Sequence, residues 1–156
     1  MKIIKNFFIN IPTLNNINWI TGSLFMLTNF IYFIPIILFG PDEFTIPIMI
    51  IGLISILYHI FQIIKHTNHI CAHFCMWLDI IVASAITIYI IILKIKQLPF
   101  WWWIILAISI IFWIIAVIFE NHYWWIHGLW HILTGFLLLV AVAPDNEKWS
   151  WTKPIK

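Results

Sequence analysis

Five stretches of this chain, at about 17–39, 44–64, 72–93, 98–119 and 123–143, are nearly unbroken apolar runs. Each reaches the roughly 20 residues a helix needs to cross the hydrocarbon core of a bilayer. A backbone in lipid must satisfy its own N–H and C=O groups, so such runs become transmembrane helices or strands of a closed barrel. Barrel strands alternate apolar and polar residues, and these runs do not. The sequence therefore predicts an all-α, polytopic membrane helical bundle of five spans, a multi-pass integral membrane protein. The gaps hold turn-forming and charged residues: Gly40-Pro41-Asp42-Glu43, Lys65-His66-Thr67-Asn68, Lys94-Ile95-Lys96-Gln97 with Pro99, Glu120-Asn121-His122 and Pro144-Asp145-Asn146-Glu147. They leave no room for a separate soluble domain, so residues 1–156 read as one integral-membrane unit.

Composition agrees and removes other classes. The chain is 63% hydrophobic and 9% charged, against roughly 45–50% and 25% in soluble domains. Net charge is +2, carried by scattered lysines with no arginine, which argues against a nucleic-acid partner. The amino end, with Lys2 and Lys5 before Pro12, looks like the start of a signal peptide. The apolar run behind it is too long and lacks a small-residue cleavage site, so it reads as a retained first span. Lys2, Lys5 and Lys65 fall on one face of the membrane. Lys94, Lys96, Lys148, Lys153 and Lys156 fall on the other, which leans toward an amino-out, carboxyl-in arrangement.

The tryptophans read as interfacial anchors: Trp101, Trp102 and Trp103 open span four, Trp124 and Trp125 open span five, and Trp149 and Trp151 follow it. Cys71 and Cys75, four apart on one helix, have poor spacing for a disulfide and read as small apolar fillers.

Against this background the informative residues are the polar ones inside the spans. An ionisable side chain at a helix centre costs about 2.5–3.5 kcal/mol on insertion scales. Span two carries Ser55 and His59, span three carries Asp79, and span five carries His127 and His131. Spans one and four carry only neutral polar residues, such as Thr28, Asn29 and Ser109. Ser55 and His59 are four apart and share a helix face, as do His127 and His131. The second pair has the spacing that lets two imidazoles reach one metal ion. Gly52, Ala83 and Gly135 extend these faces, and small residues let membrane helices approach closely. With five spans, the histidines and Asp79 fall roughly 6–12 Å below the same membrane face at 1.5 Å per residue, and Ser55 about one turn deeper. Three imidazoles plus an open position for water form a known catalytic zinc arrangement. Asp79 and Ser55 are suited to accept or orient a proton beside it. His66, His69, His73 and His122 lie in or near the loops on that face and read as solvated.

Ser55-Ile56-Leu57-Tyr58-His59 resembles the S-x3-H motif of the CREST superfamily, which includes alkaline ceramidases, progestin and adipoQ receptors, hemolysin III-type proteins and myomaker-like proteins. Asp79, in Trp77-Leu78-Asp79, looks like the aspartate of that group's next helix. His127-Gly128-Leu129-Trp130-His131 matches the H-x3-H of its last helix, and the longer string from Tyr123 is most similar to the myomaker-like branch. The resemblance implies Zn2+ held by His59, His127 and His131, with Ser55 and Asp79 beside the water it activates. It also implies hydrolysis of an amide or ester bond in a membrane lipid, which would be the substrate partner. Members of the group have seven spans. This chain has two fewer between the aspartate helix and the last helix, an even number that keeps the site on one face. A homo-oligomer is one way to restore the missing cavity wall. Three other readings stand beside the hydrolase. One is a non-enzymatic, metal-braced receptor-like or membrane-remodelling protein. The others are a b-type haem protein with His59 and His127 or His131 as axial ligands, and an ion or proton pathway through Asp79.

Overall fold

The computed structural model describes residues 19–64, 70–119 and 122–143. His66, His69, Trp149, Trp151 and the lysines at 2, 5, 65, 148, 153 and 156 lie outside the described residues. Five helical segments are long and apolar enough to span a membrane: Ile20–Phe39, Thr45–Ile63, Ile70–Lys94, Phe100–Ile118 and Tyr123–Val142. No strand occurs among the described residues. The all-α, five-span reading holds, with every helix end within two residues of its expected place.

The first span is one crossing but not one α-helix. It runs as α1 (Trp19–Leu27), a 3-10 segment (Thr28–Phe33) and α2 (Ile34–Phe39). Pro35 stands near the start of α2. Its ring has no N–H and excludes the ordinary bond to the carbonyl four residues back. Upstream, the Thr28 hydroxyl donates to the Phe25 carbonyl at 2.6 Å and the Asn29 amide donates to the Met26 carbonyl at 3.4 Å. Both bonds reach back three residues, which suits the tighter 3-10 winding. A six-residue 3-10 run is long for such a segment and marks a special place in a helix.

Gly40 closes this span with a positive φ of 80°, and the chain turns into α3 (Thr45–Ile63). The start of α3 is fixed by a reciprocal pair. The Phe44 and Thr45 backbone N–H groups donate to Asp42 Oδ1 at 2.8 and 2.6 Å, and the Asp42 N–H donates to Thr45 Oγ1 at 2.9 Å. This is a capping box with threonine in the place of the usual glutamate. The remaining helices are α4 (Ile70–Lys94), α5 (Phe100–Ile118) and α6 (Tyr123–Val142).

The 3-10 segment packs against both α3 and α6; α3 also packs on α4, and α6 on α4 and α5. Helix α6 is therefore central, and half of it is buried. Glycines admit the first span at two places. A side chain on Gly52 of α3 would press on Tyr32 Cβ at 2.9 Å, and one on Gly135 of α6 would collide with Ile31. Trp102 departs from the expected interfacial role. It is 1% exposed and donates its indole N–H to the Leu137 carbonyl at 2.8 Å, tying α5 to α6. Trp101 and Trp125 remain exposed, as anchors should.

Candidate metal centre

Three helical segments converge one to three turns from the membrane face where α3 ends and α4 and α6 begin. His59 is four residues from the end of α3, and His127 and His131 are four and eight residues into α6. Ser55 is eight residues from the end of α3, and Asp79 is nine residues into α4. These offsets correspond to depths of roughly 6–14 Å. His59, His131 and Ser55 are 0–1% exposed, His127 is 4% and Asp79 is 8%.

The histidines meet. One ring nitrogen from each of His59, His127 and His131 lies within 4.8 Å of the other two. The imidazole centroids are 4.6–5.3 Å apart and the rings stand nearly perpendicular. His59 Nε2 and His131 Nε2 are 2.9 Å apart. Two nitrogens on a tetrahedral zinc are separated by about 3.3 Å, given bonds of about 2.0–2.1 Å. A few tenths of an ångström of opening would bring this pair to that separation. His127 lies between the rings of Tyr123 (4.7 Å, 18°) and Trp130 (5.0 Å, 33°). Its Nδ1 and Nε2 are both buried without a hydrogen-bond partner. Leaving a buried polar atom unpaired costs about 1–3 kcal/mol, and a ligand role for His127 removes that cost at one nitrogen. These three buried histidines can hold a metal ion, and the orphaned His127 ring fits them for it.

Ser55 Oγ lies within interaction range of the Asp79 carboxyl without a hydrogen bond of good geometry. The acid and hydroxyl expected near the metal thus face each other across α3 and α4. His73 is half-buried and His122 exposed, and neither joins the trio. Cys71 is exposed, Cys75 is half-buried and no disulfide joins them.

Sequence reasoning placed the first span but missed its part in the site. The Phe25 ring stands edge-on to His59 at 4.4 Å. Seven residues on, the Tyr32 hydroxyl meets His131 Nδ1 at 3.2 Å and Thr134 Oγ1 at 2.7 Å. Fully buried Asn29 falls between Phe25 and Tyr32, and its Oδ1 has no partner. Gln62 was missed too. Its Oε1 is 2.6 Å from His59 Nδ1, and its amide N–H donates to the Tyr58 hydroxyl at 3.0 Å. Tyr123 brings its hydroxyl within interaction range of Gln62 and Tyr58, without a hydrogen bond of good geometry. One signal was available: Gln62 and Thr134 each stand three residues after a candidate ligand.

No family model matches the chain, and neither a curated protein nor a solved structure is significantly similar to it.

Proposed function

We propose that this chain is a zinc-dependent integral-membrane hydrolase of the CREST type, acting on an amide or ester bond of a membrane lipid. The observation that carries the reading is the convergence of three buried imidazoles from α3 and α6, with a serine and a carboxylic acid at similar depth. A zinc ion bound there supplies a Lewis acid and a nucleophilic water at neutral pH. Beside such a metal, Asp79 would accept the proton as the water oxygen bonds to the substrate carbonyl carbon, and would return it to the leaving nitrogen or oxygen as the carbonyl–heteroatom bond breaks. Ser55 orients the Asp79 carboxyl or donates to the substrate carbonyl oxygen as charge builds on it.

A second reading, a metal-braced protein without catalysis, is favoured by the near-complete burial of all three histidines, since structural zinc sites are closed and catalytic ones keep an open position. A b-type haem held by His59 and His131 is disfavoured, because their nitrogens 2.9 Å apart leave no space for a macrocycle between two axial rings.

Elemental analysis of the detergent-purified protein should find close to one zinc per chain, and His59→Ala should lose it. Wild type without metal, or His59→Ala with undiminished metal, would overturn the reading. Asp79→Asn separates the two functions. It should retain the zinc and lose release of fatty acid or amine from lipid vesicles, whereas a wild type that releases neither favours the brace.

A further inference from the structure

His59 and His131 each use one nitrogen toward the centre and the other toward a protein partner. The hydrogen-bond order around them decides which lone pairs are free. The Thr134 hydroxyl hydrogen is spent on helix carbonyls, donating to Trp130 at 2.8 Å with His131 at 3.2 Å as a second acceptor. With its hydrogen so placed, Thr134 Oγ1 accepts from Tyr32, whose hydroxyl hydrogen is spent in turn. The Tyr32 oxygen is left to accept, and the only hydrogen available to it on His131 is that on Nδ1. On the other side, Gln62 gives an amide N–H to Tyr58 and turns its oxygen to His59 Nδ1, so this nitrogen also carries the hydrogen. Both Nε2 atoms are therefore bare lone pairs, facing each other at 2.9 Å. Two bare lone pairs at that distance repel unless a proton or a metal ion lies between them.

We propose that Gln62 and the Tyr32–Thr134 pair are positioning residues that hold His59 and His131 with Nε2 presented to the metal. This rests on the metal-centre reading above. The pattern is that of a metal-binding histidine whose second ring N–H is held by an oxygen acceptor, which orients the ring and raises its basicity. Here the two acceptors differ. Gln62 comes from the ligand's own helix, three residues on, whereas Tyr32 comes from the 3-10 segment of another span. The first span thereby takes part in the centre without supplying a ligand.

The test uses the full chain in detergent, with Co2+ and Zn2+ alone as probes. Wild type should show the visible bands of tetrahedral cobalt. Gln62→Leu, Tyr32→Phe and Thr134→Val should weaken metal affinity by about 10–100-fold, the usual effect of losing such a partner. Thr134→Ser keeps the hydroxyl and should restore affinity to near wild type. Histidine 15N spectra of the zinc-loaded wild type should show Nε2 bound and Nδ1 protonated at His59 and His131, which needs no variant to fold. A wild type that binds neither metal overturns both this inference and the metal centre. A wild type that binds metal while the three variants bind it equally well overturns this inference alone. So does coordination through Nδ1, or a Thr134→Ser loss as large as that of Thr134→Val.

Discussion

Gly135 shows how much of the centre depends on an atom that is not there. It lies four residues after His131 on the face where the first span docks, and any Cβ would collide with Ile31. Gly135→Ala should therefore push the 3-10 segment away and lengthen the Tyr32–His131 contact. Overpacking of this kind costs typically 1–3 kcal/mol. Thermal unfolding in detergent should fall accordingly, and Ile31→Ala should recover most of the loss when combined with it. The candidate site residues themselves were legible in the sequence because lipid makes them expensive. A histidine or aspartate inside a span needs a reason, so His59, Asp79, His127 and His131 stood out singly, and their spacing did the rest. Tyr32 and Thr134 are cheap in a membrane helix, and Gln62, one residue from the end of α3, read as part of the span's rim, so none gave such an alarm. Their value lies in which way they point, and for Tyr32 that depends on winding. A 3-10 helix advances about 120° per residue and an α-helix about 100°. By Tyr32, the fifth residue of the 3-10 run, the accumulated rotation is roughly 100° relative to a regular helix. A continuous α-helical reading of the first span places Tyr32 on the wrong face.

At the scale of elements, the start of α3 is where charge outside the spans is most organised. Burial alone would raise the Asp42 pKa. Hydrogen bonds from the Thr45 and Phe44 backbones and the Thr45 hydroxyl outweigh it, with help from the Lys94 charge, and hold the carboxyl below its usual range. Lys94, at the end of α4, also places its ammonium 5.1 Å from the centre of the Phe44 ring. A carboxylate with a depressed folded pKa stabilises the fold above its unfolded value, about 3.9. That contribution is lost as pH falls through the lower folded value. Stability contributed by this cap should therefore be complete above about pH 5 and decline below about pH 4. Asp42→Ala should cost about 0.5–2 kcal/mol at neutral pH. Asp42→Asn should keep most of the cap and remove its share of the acid dependence, checked by melting temperature against pH for the three proteins. The same box could be read from the Asp42-Glu43-Phe44-Thr45 string only once the helix start was known. The breakers announced a turn there but not which residue closed it.

Over the whole molecule, five crossings put the Gly40–Glu43 turn and the α5–α6 connection on opposite faces of the membrane. In a background with Cys71 and Cys75 replaced by alanine, Asp42→Cys and His122→Cys should be labelled by an impermeant maleimide from opposite sides of a sealed vesicle. Labelling of both from one side would break the five-span topology and separate the candidate ligands. Burial also grades across the bundle, with α6 most enclosed and α4 and α5 turned largely outward. Among the described helices α6 is synthesised last, so the segments that pack on it wait for it, and the Tyr32–His131 contact joins residues 99 apart. At roughly 5–20 residues per second, the ribosome needs about 5–20 s to travel from one to the other. Through that interval Tyr32 and Asn29 sit in the bilayer or the insertion machinery before their intended neighbours exist. Assembly of the centre is in this sense a late event of biogenesis, and a chain stopped before α6 presents a first span whose polar face invites other helices or the quality-control apparatus.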